Sequence, residues 1–171
     1  MENSSELINP SLEKKEFPTV LKICNVENLE ELKNICAIGD SEEVEVGDYF
    51  LLRKNDNITT CSYGAGPCIS GVLQTNDNKL YMFHSFADRF LTLEQKEIIK
   101  NTKKGIIGSG NKELLDTFKS EFKNGNIKVL PPPTGGNYDF NIVFVKAKNK
   151  YKVSPGIYFC HDNIENTDQQ L

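Results

Sequence analysis

The chemistry open to this chain centres on cysteine and histidine, because the chain has five cysteines but only two histidines, His84 and His161. A thiol with an ordinary pKa of about 8.5 is a weak nucleophile near neutral pH, and a neighbouring imidazole is its usual activator. So few histidines leave few arrangements for a Cys-His mechanism. Cys68 and His84 form the favoured pair, with Cys68 as nucleophile and His84 as general base.

A hairpin is predicted to bring these two residues together. Two apolar runs, 69–73 and 80–86, flank the turn-forming stretch 75–78. If the loop is centred on Asn76, Cys68 lies directly opposite His84, and their Cβ atoms are roughly 4.5 to 5.5 Å apart. A register shift by one residue would separate the pair. The alternation predicts one face with Cys68, Ser70, Val72, Leu80, Met82 and His84, and a second, core face with Ile69, Leu73, Tyr81 and Phe83.

The stretch before the nucleophile, Ser62-Tyr63-Gly64-Ala65-Gly66-Pro67, is rich in glycine. Glycine lets a tight turn bring bare backbone close to a substrate. Backbone N–H groups in such a turn can stabilise the oxyanion of acyl transfer, by about 3 kcal/mol per donor. Pro67 has no N–H, so the donors are expected to be Cys68 and other residues of the turn. Tyr63 is either a wall against the substrate or a core residue.

The alternatives to this site are few. Cys61 is a rival nucleophile, but it lies in a predicted strand without the glycine turn. His161 is predicted to be a surface residue near a loose C-terminus. The stretch 108–110, Gly-Ser-Gly before a helix, fits an anion site less well than a plain helix start. The glycines at 64 and 66 lack the third glycine of a dinucleotide fingerprint. Each of Cys24, Cys36 and Cys160 is expected to be a small buried hydrophobe.

The order of elements predicts an α+β fold, a mostly antiparallel sheet with packed helices. Helices are predicted at 28–36, 92–101 and 111–123, the first with a capping box of Asn28 and Glu31 and the second capped by Thr92 with Gln95. Strands are predicted at 44–53 (a pair or one bulged strand), 58–61, 69–73, 80–86, 105–108, 127–130, 140–146 and 151–159, with a turn at 55–57.

Three regions are predicted along the chain. Residues 1–41 form an N-terminal extension with one short helix, residues 42–160 form the main domain, and residues 161–171 form a flexible polar tail. The extension's helix is expected to add packing to the sheet, although a partner-binding or delivery role is also open.

Bulk composition excludes several classes of function. The net charge is −4 and the basic residues are scattered, so nucleic acid and anionic membranes are not expected as partners. There is no apolar stretch near the roughly 20 residues that span a bilayer, and the N-terminus does not read as a secretory signal. The odd cysteine count without metal-type spacing argues against a disulfide scaffold and a structural zinc site.

One family resemblance joins these motifs. The run from Val46 to Cys68, VGDYFLLRKNDNITTCSYGAGPC, resembles the N-terminal signature of the chemoreceptor glutamine deamidase (CheD) family. His84 falls where that family keeps its catalytic histidine. The later helix, strand, Gly-Gly-Asn loop and closing strands also resemble the family's ending, so the likeness covers about Val44 to Val153. The segment between His84 and Asn111 is shorter than in the family.

The resemblance implies an α/β sandwich and a protein-glutamine deamidase, a cysteine hydrolase that converts an exposed Gln of a protein substrate to Glu through a thioester. It implies Cys68 as nucleophile, His84 as base and Ser62 as the hydroxyl that orients the histidine, with residues Tyr63, Gly64, Ala65 and Gly66 forming the substrate and oxyanion turn. The same Cys-His layout is found in toxins such as the cytotoxic necrotizing factors. No metal or organic cofactor is expected. The expected location is the cytoplasm, or a host cell after delivery as a bacterial effector; a catalytically silent binding protein of the same fold is the alternative.

Overall fold

The computed structural model of the chain describes residues 22–37, 41–53, 58–86, 92–122, 126–146 and 153–164. Three predicted regions lie partly or wholly outside these ranges. They are residues 1–21 and 38–40 of the extension, the turn at 55–57 and residues 165–171 of the tail.

The described residues form ten strands and three helices. The strands are β1 (Lys22–Asn25), β2 (Ser41–Glu43), β3 (Tyr49–Leu52), β4 (Thr59–Ala65), β5 (Cys68–Thr75), β6 (Leu80–Phe86), β7 (Thr102–Gly108), β8 (Asn126–Leu130), β9 (Tyr138–Val145) and β10 (Gly156–Asn163). The helices are α1 (Leu29–Cys36), α2 (Leu93–Lys100) and α3 (Lys112–Lys119). None of these helices is long and apolar enough to cross a membrane.

The strands make two five-stranded sheets. Sheet A has the order β1-β10-β9-β4-β2, and sheet B has the order β3-β6-β5-β7-β8. Within the described residues, β1 with β10, β2 with β4 and β7 with β8 pair in parallel, and the five other neighbouring pairs are antiparallel. The prediction of a mixed α and β fold with mostly antiparallel strands is therefore confirmed. The strands form two sheets, whereas one sheet was predicted.

Three hydrophobic cores stack the elements in layers. The central core combines residues of both sheets, such as Val72 and Met82 of sheet B with Ile142 and Phe144 of sheet A, so the sheets pack face to face. A second core lies between sheet B and the helices α2 and α3. A third core lies between sheet A and α1. Both faces of the β5–β6 hairpin are therefore buried, whereas the sequence indicated a core on only one of them.

Side chains at the three helix starts make N-cap hydrogen bonds, and two of these caps, Asn28 and Thr92, were predicted from the sequence. Asn28 accepts from the N–H of Glu31 at 2.8 Å, Thr92 from that of Gln95 at 3.1 Å, and Asn111 from that of Leu114 at 3.2 Å. Each bond satisfies one of the backbone donors that a helix start leaves without an intrahelical partner. The predicted helices are thus present, although α3 ends at Lys119 rather than at 123.

The predicted domain boundaries fall inside sheet A. Strand β1 pairs with β10 and β2 pairs with β4, so the described part of the N-terminal region contributes two strands and α1 to the sandwich. At the other end, β10 continues to Asn163, two residues past the predicted start of the tail. Strands β1 and β2 were not predicted, because strands of three or four residues carry too few alternations to be recognised.

The predicted register of the β5–β6 hairpin is wrong by two residues. Ser70, not Cys68, lies opposite His84, and Cys68 lies opposite Phe86. The loop is centred on Asp77 instead of Asn76, because the N–H of Thr75 donates to the carbonyl of Lys79 at 2.9 Å and closes a loop of residues 76–78. Asn78, the last residue of this loop, takes a positive φ of 64°. A shift of two keeps every side chain on its own face. Cys68 and His84 therefore remain on the same side of sheet B, as diagonal neighbours.

The glycine turn carries the chain from one sheet to the other. Strand β4 ends at Ala65 in sheet A, and β5 begins at Cys68 in sheet B, so residues 66 and 67 alone make the crossing. Gly64 takes a φ of 75°, a conformation that favours glycine. The crossing lays β4 against β5 with Ser62 facing Ser70 across the central core.

The backbone conformation of Asn78 predicts a local effect on stability. Asn78→Val is expected to lower the free energy of unfolding by about 1 to 2 kcal/mol, because a β-branched residue is strained at positive φ. Asn76→Val is the matched control, since Asn76 is an exposed asparagine of the same loop without a positive φ. Asn78→Gly should be tolerated. Urea denaturation measures all three, and equal losses for the two valine variants would contradict the prediction.

Candidate functional site

The candidate site is built on a chain of hydrogen bonds that joins the two sheets. The Ser62 hydroxyl of β4 lies 3.0 Å from Nδ1 of His84 in β6, and 2.7 Å from the hydroxyl of Ser70 in β5. The alternation of each strand points these three side chains into the central core. All three are fully or almost fully buried, with His84 only 1% exposed. Buried polar groups need such partners, so the three residues depend on one another.

His84 is held as a neutral imidazole. Burial lowers its pKa, and a smaller opposing effect comes from the backbone of Val44. Its Nε2 atom is buried and has no hydrogen-bond partner among the described residues. Nδ1 is engaged by Ser62, and the opposing effect of Val44 on the pKa is that of a hydrogen bond to its backbone.

Cys68 lies at the first position of β5, where the turn enters sheet B. Its side chain belongs to the central core and is 4% exposed. Diagonal neighbours in an antiparallel pair are roughly 7 to 8 Å apart, a separation that a histidine side chain can largely bridge. Cys68 and His84 are thus on one face and near each other, but Nε2 makes no hydrogen bond to the thiol in this structure.

The electrostatics of this pair favour the uncharged forms. Burial raises the pKa of the Cys68 thiol, and the negative charge of Asp139 raises it further. Burial lowers the pKa of His84. Both shifts act against a thiolate beside an imidazolium. The resting site therefore holds a thiol and a neutral imidazole, and any nucleophilic attack must be coupled to proton transfer.

Two N–H groups of the glycine turn already donate hydrogen bonds to other residues of the protein. Gly64 donates to the side-chain oxygen of Asn141 at 2.8 Å, and Gly66 donates to the carbonyl of Gly64 at 3.0 Å. Pro67 has no N–H to give. The expected oxyanion donors at Gly64 and Gly66 are consequently occupied in this structure. Ala65 is fully buried in the central core, which makes it a packing residue of the turn.

The turn is held in place by residues that the sequence analysis missed. The Ser109 hydroxyl donates to the carbonyl of Gly66 at 3.1 Å, and the Gly110 N–H donates to that of Ala65 at 2.7 Å. The carboxylate of Asp139 lies against Gly66, where a Cβ would be 2.5 Å from the Asp139 oxygen. These residues, like Asn141, lie more than 40 positions along the chain from the turn, so local patterns gave no signal for them. The Ser109 contacts also support the plain helix start over an anion site.

Tyr63 and Cys61 lie on the other face of β4 from Ser62. Both pack in the third core, between sheet A and α1, which is called the outer core below. Nζ of Lys33 in α1 lies 5.6 Å from the centre of the Tyr63 ring. Of the two readings of Tyr63, the core residue is the one observed. Cys61 is therefore remote from His84 and makes a weak hydrogen bond to the carbonyl of Glu42 at 3.6 Å. The structure brings Ser62, Ser70 and His84 together near Cys68, without Tyr63.

His161, predicted to be a surface residue near a loose C-terminus, is half-buried. His161 lies in β10, and its ring centre is 5.2 Å from that of Phe140 and 6.0 Å from that of Phe159. Burial lowers its pKa. The reason is that β10 extends past Cys160, and alternate residues of this strand face the central core. It does not contact His84.

Cys24, Cys36 and Cys160 were expected to be buried hydrophobes. Cys36 and Cys160 are buried in the outer core, whereas Cys24 is half-buried against it. Within the ranges that the structure describes, no three His, Cys, Asp or Glu side chains are grouped in a way that could hold a metal ion.

Comparison with known proteins adds no family to this picture. The sequence matches no protein-family model and no curated protein. The likeness to the deamidases therefore rests on the sequence motifs alone.

The charge of Asp139 predicts how Cys68 reacts with pH. Alkylation of Cys68 by iodoacetamide should speed up as pH rises and be half-maximal above the ordinary thiol pKa of about 8.5, because the raised pKa keeps the thiol protonated. Asp139→Asn should move this midpoint to lower pH by removing a negative charge. The control is Asp116→Asn on the exposed face of α3. Peptide mass spectrometry measures the rates; a wild-type midpoint below 8.5 would contradict the prediction.

Proposed function

We propose that this chain is a cysteine amidohydrolase that deamidates glutamine side chains of a protein substrate. Cys68 is the nucleophile, His84 the general base, and Ser62 the residue that positions the histidine. The observation that carries the proposal is the hydrogen bond between the Ser62 hydroxyl and Nδ1 of His84, with Cys68 on the same face of sheet B. The resemblance to the chemoreceptor glutamine deamidases supplies the choice of reaction.

The proposal assigns one tautomer to His84, in which the hydrogen-bond chain runs from the imidazole to Ser70. Ser62 has one hydroxyl proton and two neighbouring acceptors, the Ser70 hydroxyl and His84 Nδ1. If Ser62 donates to Ser70, Nδ1 carries a proton and donates to Ser62. Nε2 then has the free lone pair that a general base requires. The chain Nδ1–H to Ser62 to Ser70 thus prepares His84 to take a proton on the side away from β4.

The proposed reaction is two acyl transfers. Nε2 of His84 takes the Cys68 thiol proton as the sulfur attacks the carboxamide carbon of the substrate, and a tetrahedral oxyanion forms. His84 returns the proton to the leaving nitrogen, the C–N bond breaks, and ammonia departs from a thioester. Water then attacks this thioester with His84 as base, the C–S bond breaks, and the sulfur regains a proton. The products are a glutamate side chain, ammonia and the original thiol.

Substrate approach is narrow at this site. Cys68 is at the open end of the β5–β6 hairpin, opposite Phe86, which is 42% exposed. A glutamine side chain is long and thin, so it suits a thiol that is only 4% exposed better than a bulky group does. The half-buried carboxylate of Asp139 borders the turn and can accept a hydrogen bond from the carboxamide nitrogen.

The biological setting belongs to the same proposal. A deamidase of this kind would act on a protein with an exposed Gln, in the cytoplasm or in a host cell after delivery. No cofactor takes part in the steps above. The short segment after His84, compared with the family, favours a substrate other than a chemoreceptor.

Deamidation should be detectable as Gln-to-Glu conversion. Incubating the chain with a cell lysate should yield Gln sites with the mass gain of deamidation, and these should be lost with Cys68→Ala because the thioester cannot form. Cys160→Ala is the matched control, since it removes an equally buried thiol from the outer core. Quantitative mass spectrometry is the measurement. Gains that persist with Cys68→Ala would remove the hypothesis.

The role of Ser62 predicts a spectroscopic signature. In nitrogen-15 NMR, His84 should carry its proton on Nδ1 in the wild type, with His161→Gln used to assign the two histidines. Ser62→Ala should disturb this tautomer and lower kcat roughly five- to tenfold, the value of one buried hydrogen bond. Ser62→Thr should retain the wild-type tautomer and kcat, because threonine keeps the hydroxyl. An unchanged tautomer in Ser62→Ala would show that Ser62 does not position His84.

A second candidate is a protein-binding domain of the same fold without catalysis. The near-complete burial of His84 and the raised pKa of Cys68 favour it, because the hydrogen-bond chain would then serve only to join the two sheets. In that case His84→Gln would lower the free energy of unfolding, and no protein in the lysate would be deamidated by the wild type.

A further inference from the structure

Two other cysteines lie in contact on the outer face of sheet A. Cys36 is the last residue of α1, and Cys61 lies in β4. Their thiols hydrogen-bond to each other, and both belong to the core between α1 and sheet A. The two thiols therefore lie side by side where α1 packs on sheet A.

Three donors converge on the sulfur of Cys36. They are the thiol of Cys61, the phenol of Tyr63 and the hydroxyl of Ser41. The hydrogen bond from Cys61 is the largest of the effects that lower the pKa of Cys36, and it outweighs the opposing effects of burial and of the Glu43 carboxylate. Donors directed at sulfur favour the thiolate, which is the reactive form.

Cys61 has the complementary role in this pair. Its thiol proton has two acceptors within reach, the sulfur of Cys36 and the carbonyl of Glu42 at 3.6 Å. Its hydrogen bond to Cys36, followed by burial, raises its pKa. The Cys36 sulfur is thus prepared to attack an oxidant, and Cys61 retains a proton that a leaving hydroxide can take up.

We propose that Cys36 and Cys61 form a dithiol oxidation site, which hydrogen peroxide converts to a disulfide between α1 and β4. The Cys36 thiolate attacks peroxide, the O–O bond breaks, and the sulfur becomes a sulfenic acid. Cys61 then attacks that sulfur, the S–O bond breaks, and hydroxide leaves with the Cys61 proton as water. Two thiols are oxidised by two electrons, and one peroxide is reduced to two waters. A thiol reductant reverses the change.

Burial restricts the reagents that can reach this site. Cys36 is 4% exposed and Cys61 is 3% exposed, so a small oxidant such as peroxide is suited to it and a bulky one is not. The bond would also act on the candidate active site, because Cys61 directly precedes Ser62. The sulfurs must approach to about 2.05 Å, which draws β4 toward α1.

The test uses the reduced full-length chain with hydrogen peroxide. Free thiols are blocked with an alkylating reagent before proteolysis. Mass spectrometry should then find the Cys36 and Cys61 peptides linked, with a mass lower by two hydrogen atoms than the sum of the two peptides. Cys24, Cys68 and Cys160 should carry the alkylating reagent. Cys160→Ser, which alters the same core, should give the same link. Cys61→Ser should give no link, and dimedone should trap a sulfenic acid on Cys36.

Three results would overturn the proposal. The first is that all five thiols of the wild type stay reduced at a peroxide dose that oxidises a small-molecule thiol in the same tube. The second is a disulfide that uses another cysteine. The third is over-oxidation of Cys36 without a disulfide. Each is read on the wild-type chain, so the outcome does not depend on whether a variant folds. None requires the deamidase activity.

Discussion

The rest of this structure depends on the burial of three polar side chains between two sheets. Ser62 comes from sheet A, and Ser70 and His84 come from sheet B, so each sheet supplies a partner that the other needs. A buried hydroxyl or imidazole without a partner costs about 1 to 3 kcal/mol, so the network constrains how the two sheets pack. The same contact that aligns the sheets also orients the histidine and leaves its Nε2 without a partner among the described residues.

Burial also sets the chemistry that this arrangement can perform. It raises the pKa of Cys68 and lowers that of His84, so the resting pair is uncharged. A thiolate–imidazolium pair would require charge separation in a nearly dry core, which Asp139 further disfavours. The proposed deamidation is therefore one in which substrate contact and proton transfer create the nucleophile together. This contrasts with the outer face of β4, where donors around Cys36 favour a thiolate.

Strand β4 links these two environments. Its alternation directs Cys61 and Tyr63 toward α1 and Ser62 toward His84, so one strand of seven residues carries both a thiol pair and the positioning hydroxyl. At its end, the turn to β5 is held by contacts from Asn141, Ser109 and Gly110. The position of Cys68 is consequently fixed by segments from both sheets.

The sequence alone determined the type of each main element, the caps at Asn28 and Thr92 and the common face of Cys68 and His84, because these depend on local spacing and on a two-residue period. It did not determine the register, since the turn-forming residues 75–78 do not specify which of them lies at the centre of the loop. Nor did it find β1, β2, the burial of His161 or the contacts of Asn141 and Asp139. Those features arise from pairings between distant segments, and only the tertiary packing of two sheets decided which side chains would meet and which would lose contact with water.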